Sequence, residues 1–117
     1  MPRFVVLEHA RENTRHFDLM LEQGNVLLTF SFADFPQAPA KCKSLMEHRL
    51  RYLEYEGDMG SGRGTVRRVE SGTFDLMAQT ENAIHLHLRG LRLQGTFCLT
   101  NEREDVWRFE AAQHGRH

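Results

Sequence analysis

The side chains best suited to chemistry lie in the first half of the chain. His16-Phe17-Asp18 sets an imidazole and a carboxylate two residues apart. On a strand such residues point to the same side, so the two can share one divalent cation, while Phe17, Leu19 and Leu21 go to the opposite, apolar side. His9 follows the apolar run 4–7 and can bring a third ligand. Two imidazoles and one carboxylate leave positions open on Mn, Fe or Zn for water and substrate. A His-x-Asp in isolation is more often a solvent-facing pair on an edge strand, so this spacing alone does not decide the matter.

His48-Arg49-Leu50-Arg51-Tyr52 is the second constellation. In an extended segment His48 and Tyr52 share a face, and together they can hold a phosphate oxygen and deliver a proton. The bland alternative is a half-buried Tyr beside a surface His. His85-x-His87 also has metal-compatible alternation, but its neighbours Ile84, Leu86 and Leu88 read as core, which makes the two histidines a solvated outer face. Gly60-Ser61-Gly62-Arg63-Gly64 lacks the Lys-Ser/Thr ending of a phosphate-binding loop and reads as a turn, with Arg63 as its reaching side chain. His114 and His117 fall in the tail and receive no role.

These groups must be carried by strands, because the dominant pattern is short alternation. Strands are predicted over 4–7, 16–22 and 26–32, with a turn at Gln23-Gly24-Asn25. Residues 34–39 form a loop holding two prolines. The stretch 44–55 is predicted to be extended, with a turn at Glu56-Gly57. A strand over 65–69 follows the glycine loop, and Ser71-Gly72 turns into another over 73–77. Further strands are expected over 84–88, over 91–99 with a bulge at Gly95, and over 106–110, after a polar turn at 101–105. Residues 111–117 read as a frayed end. About eight short strands without a helical period predict an all-β fold, a small closed or nearly closed β-barrel forming a single domain over 1–117.

Composition narrows the function classes. The chain has 117 residues, 40% hydrophobic and 26% charged, which fits one globular domain. The net charge of −1 argues against coating nucleic acid through bulk charge. Thirteen of the fifteen basic residues are Arg, the better fork for phosphate oxygens; Lys41 and Lys43 are the exceptions. No apolar run approaches the roughly 20 residues of a membrane span, and the first residues lack a secretory pattern, so a cytoplasmic location is expected. Cys42 and Cys98 are expected to stay reduced.

In order, Arg3-Phe-Val-Val, His9, His16-Phe-Asp18-Leu-Met-Leu-Glu22, Glu47-His48-Arg-Leu-Arg-Tyr52-Leu-Glu-Tyr-Glu-Gly57, Gly64-Thr-Val66, Ser71-Gly-Thr-Phe74, Leu91-Arg-Leu-Gln-Gly-Thr-Phe97 and Trp107 resemble the 3′-phosphoesterase domain of bacterial DNA ligase D. The resemblance covers nearly the whole chain. It implies a small closed β-barrel with a polar crevice that trims damaged or ribonucleotide-bearing DNA 3′ ends with manganese. It implies His9, His16 and Asp18 as metal ligands, His48 as the catalytic group on the scissile phosphate, and Tyr52 as part of the same pocket. Lys41 stands near the family's basic residue upstream of the second-motif His. DNA 3′ ends are the implied substrate, with a separate DNA ligase or polymerase as a partner.

The chain departs from the family pattern at four points. Met20 replaces an Arg that supports phosphate binding, and Arg63 is the preferred replacement for that lost charge. The stretch between His9 and His16 is one residue longer than usual. Arg49 stands where the family has Pro. The sequence begins almost at the first strand, without the family's upstream polar arm. These departures keep a second reading open, a non-catalytic module binding DNA ends or a repair partner. A third is a non-haem iron oxygenase built on His16, Asp18 and a distal His85 or His87.

Overall fold

A computed structural model describes residues 1–112. Its strands are β1 (Arg3–Arg11), β2 (Thr14–Gln23), β3 (Val26–Phe32), β4 (Ala40–Arg49), β5 (Gly57–Asp58), β6 (Thr65–Thr80), β7 (Ala83–Arg89), β8 (Gln94–Arg103) and β9 (Val106–Ala111). Every pairing is antiparallel, in the order β1-β2-β3-β4-β9-β8-β7-β6-β5. A further ladder joins β1 to β6, so eight of the strands close into a ring. This is the all-β, nearly closed architecture that the alternation predicts. The ninth strand is the two-residue β5. Most of the expected frayed end, 113–117 with His114 and His117, lies outside the described residues.

Alternation sorts the side chains into two layers. Inside the ring lie Phe4 and Val6, Phe17, Leu19 and Leu21, Phe30 and Phe32, Leu86, Leu88, Leu99, Trp107 and Phe109, all buried. Phe97 stacks on Phe109, and Phe30 meets Trp107 edge-on. Each fully buried side chain of this kind contributes about 1.5–3 kcal/mol. The outer face of β1–β3 carries a second, smaller cluster of Val5, Leu7, Met20 and Leu27.

That second cluster reshapes the end of β4. The stretch 44–55 is not extended throughout. β4 ends at Arg49, and Leu50–Leu53 forms a 3-10 turn. The turn drops Leu53 onto the outer cluster, with Leu50 and Tyr52 beside it. Burying these side chains outweighs continued pairing at the end of β4.

Ser71-Gly72 is no turn either. β6 runs unbroken through it and changes partner nearby, with Thr73 pairing both Arg3 of β1 and Arg89 of β7. Gly72 serves close approach: a Cβ there would sit 2.1 Å from the Arg89 carbonyl oxygen. Gly95 makes no register shift against β7; the irregularity in β8 lies at Asn101/Arg103 on its β9 side. The strand predicted from 91 begins at Gln94, because residues 90–93 wrap around Glu70. Both cysteines are free, and burial pushes the Cys42 thiol up to about 12. No helix among the described residues is long and apolar enough to cross a membrane.

Candidate metal and phosphate site

Register brings the first group together. His9 of β1 lies directly opposite His16 of β2, and Asp18 follows on the same face. His9 Nδ1 is 3.3 Å from His16 Nε2, which is in turn 3.4 Å from Asp18 Oδ1. Asp18 is buried, and its Oδ1 accepts no hydrogen bond. Burial drives its carboxyl above the ordinary range, against the pull of His16, Ser31, His48 and His9.

The tautomer of His9 follows from its other neighbour. Its Nε2 lies 2.8 Å from the Arg63 carbonyl oxygen. A carbonyl only accepts, so Nε2 carries the hydrogen and the neutral ring turns the lone pair of Nδ1 toward His16. Gly64 makes that contact geometrically accessible. A Cβ at Gly64 would lie 2.2 Å from the Ala10 carbonyl oxygen, and its φ of +96° suits only glycine. The glycine loop thus presses a backbone carbonyl against a candidate ligand.

In kind these atoms suit a divalent ion, and each neighbouring pair, His9–His16 and His16–Asp18, has the spacing of adjacent ligands. Neighbouring ligand atoms around one ion with bonds of about 2.0–2.2 Å sit roughly 3.0–3.4 Å apart. A buried carboxylate oxygen without a donor is what a cation would satisfy. The three side chains form a row centred on His16, and as they are placed no group of three His, Cys, Asp or Glu side chains among the described residues could hold a metal ion.

His48 reaches the same face by a bulge. Thr29 of β3 opposes Leu45, whereas Leu27 opposes His48, so β4 spends an extra residue between them. Unbroken alternation from Cys42 would have turned His48 into the core. Its Nδ1 lies 3.0 Å from Thr29 Oγ1, and that hydroxyl donates to the Leu27 carbonyl. The hydroxyl proton is thereby used, so Nδ1–H of His48 donates to Oγ1 and the neutral ring keeps its lone pair on Nε2. Tyr52 packs edge-on against His48 with ring centres 5.5 Å apart, and Arg51 lies over its ring. His48 and Tyr52 are therefore neighbours, through a bulge and a 3-10 turn rather than a shared strand face.

The remaining predicted residues are placed differently. The Arg63 guanidinium is folded onto its own loop, donating to the carbonyls of Met59 and Gly60. Lys41 lies 3.7 Å from Glu102 and lines a groove beside His16. Met20 is buried in the outer apolar cluster. His85 and His87 sit on β7, three pairings around the ring from β2, and are not brought to His16 and Asp18. Sequence reasoning passed over Thr29, Ser31 and Lys43. Ser31 opposes Asp18 and Lys43 opposes Ser31, and only strand register could have revealed that.

No curated protein matches the chain significantly. The family described as DNA Ligase D 3′-phosphoesterase domain matches residues 7–101, which span every site residue named so far except Glu102. The chain belongs to that family, and with it comes, in general terms, a 3′-phosphoesterase-type role in DNA repair.

Proposed function

We propose that the chain is a manganese-dependent phosphoesterase that removes a 3′-phosphate or a 3′-ribonucleotide from DNA ends. The observation that carries this reading is the buried, donorless Asp18 Oδ1 beside His16 Nε2, with His9 Nδ1 turned toward the same nitrogen. His9, His16 and Asp18 would hold the ion. A divalent metal bound there supplies polarisation of a phosphate oxygen and a water acidic enough to attack near neutral pH.

The other residues act around the phosphate. His48, fixed by Thr29, presents Nε2 outward; once protonated, it donates to a phosphate oxygen or to the leaving oxygen. Tyr52 holds the His48 ring edge-on and offers its hydroxyl to the same pocket. Lys41 adds positive charge on the side of His16. The product is a 3′-hydroxyl, the form that a separate ligase or polymerase requires.

Met20 favours the second reading. It puts an apolar, buried side chain where the family carries a cation, which suits a module that binds DNA ends without turning them over. A primer–template ending in a 3′-phosphate or a single ribonucleotide, incubated with manganese, separates the two. Trimming that disappears in Asp18→Asn supports the phosphoesterase. Manganese binding without trimming supports the binding module. Equal trimming by wild type and Asp18→Asn would remove the proposed metal site.

A further inference from the structure

Beside His16 the outer face of the sheet opens into a groove of about 440 Å3, lined in part by Ser31, Lys41, Lys43, Arg103 and Val106. Three of its lining side chains are cations and none is an acid. Register explains the grouping. Asp18 opposes Ser31, Ser31 opposes Lys43, Lys43 opposes Val106, and Val106 opposes Arg103. One row of side chains therefore runs across β2, β3, β4, β9 and β8, over roughly 19 Å at the usual strand spacing.

The cations of this row are not equivalent. Lys41 is engaged by Glu102, which also accepts from Arg108 at 2.8 Å. Lys43 and Arg103 are exposed and form no ion pair among the described residues. The backbone that carries Arg103 is braced. The register shifts between Asn101 and Arg103, and the Asn101 amide donates to the carbonyls of Glu104 and Val106 at 3.0 Å each. Ser44 N–H then ties the turn to β4 through the Asp105 carbonyl at 2.9 Å. Arg103 also lies beyond the residues matched to the family.

We propose that this row is the track for the DNA strand leading to the 3′ end. The terminal phosphate lies at His16 and Asp18, and the phosphodiesters on its 5′ side lie against Lys43 and then Arg103. The proposal rests on reading the His9–His16–Asp18 site as one that receives a DNA 3′ end. Lys43 supplies a point charge, and Arg103 a planar fork that suits a phosphodiester. The row also explains how a chain of net charge −1 can hold DNA: the charge is local to one face.

The test follows the binding of a labelled primer–template with a 3′-phosphate through a salt series, by fluorescence anisotropy. The proteins are wild type, the Lys43→Gln/Arg103→Gln double variant and Arg89→Gln. Arg89 is paired with Asp75 on β7, away from the groove. Each phosphate contact contributes about 0.7–0.9 to the slope of log affinity against log salt. The double variant should bind more weakly, with a slope smaller by about 1.4–1.8, and Arg89→Gln should match wild type. Trimming by wild type with equal slopes for wild type and double variant overturns the track and leaves the phosphoesterase standing. A reduced slope with no trimming by wild type supports the track and overturns the phosphoesterase. No DNA binding by wild type overturns both.

Discussion

His9 and Arg63 meet through one hydrogen bond, from the ring Nε2 to a backbone carbonyl 2.8 Å away. The bond belongs to the backbone, so the identity of the Arg63 side chain should not matter to it, whereas Gly64 should. Gly64→Ala forces a Cβ against the Ala10 carbonyl and displaces the loop. Manganese affinity should then fall about 10–100-fold, the usual cost of losing a partner that orients a ligand. Arg63→Ala should bind manganese as wild type does. Titration calorimetry on the two variants checks this, and equal affinities for both would refute it.

As a proposed ligand, Asp18 is held at the expense of the fold without metal. Its carboxylate is buried, lacks a donor on Oδ1, and is pushed by burial toward the protonated form. Asp18→Asn keeps the shape and removes the charge. In chelator its melting temperature should be no lower than that of wild type. The rise that manganese gives wild type should be absent from the variant, since binding to the folded state alone is what produces such a rise. Thermal melts with and without manganese read both outcomes.

In the proposed mechanism Thr29 positions His48. Its hydroxyl accepts from Nδ1 of His48 and donates to Leu27. Thr29→Val keeps the volume and removes the acceptor. Turnover should drop by roughly 10–100-fold, a part of what acid–base catalysis contributes. The pH–rate profile should shift with it, manganese affinity should hold, and Thr29→Ser should restore activity. A Val variant with an unchanged profile would show that Thr29 serves packing alone.

Glu70 anchors the 90–93 turn. Oε1 accepts from the N–H groups of Ser71 and Leu91, and Oε2 from those of Arg92 and Leu93. Burial raises its pKa, but these four donors outweigh that and leave it below the ordinary value of 4.5. Because the folded value lies below the unfolded one, this stabilisation is complete well above pH 4.5 and fades as pH falls through the lower folded value. Glu70→Gln turns an amide NH2 toward two N–H donors. It should cost about 2–3 kcal/mol at neutral pH, and the cost should shrink in acid. Urea denaturation at neutral and acidic pH measures the difference.

Period-two alternation made His16 and Asp18 legible as a pair, because two residues on one strand need no partner to define their face. His9 and the His48–Tyr52 pair were legible as separate candidates from their own positions, and the resemblance joined them to His16 and Asp18 in one site. Features set by more than one strand stayed hidden. The β4 bulge that turns His48 outward leaves no mark in its own sequence, and Lys43 gains meaning only from the Ser31 and Asp18 it stands beside. Gly72 misled because glycine marks both a turn and a close crossing, and only the Arg89 carbonyl beside it distinguishes the two. The 3-10 turn over Leu50–Leu53 exists to cover Met20 and Leu27, residues distant in sequence.

The ladder between β1 and β6 joins segments far apart along the chain, whereas β1–β2, β2–β3, β6–β7, β7–β8 and β8–β9 are neighbouring hairpins. Local pairs form early and distant ones late, because the loop entropy must be overcome first. His16 and Asp18 belong to an early hairpin, but the carbonyl that sets the His9 tautomer arrives only with the loop leading into β6. The candidate ligand row is therefore completed by one of the two long-range seams of the ring, the other being the β4–β9 ladder. A metal that prefers the finished row would act as a latch on the β1–β6 seam and slow unfolding more than it speeds folding.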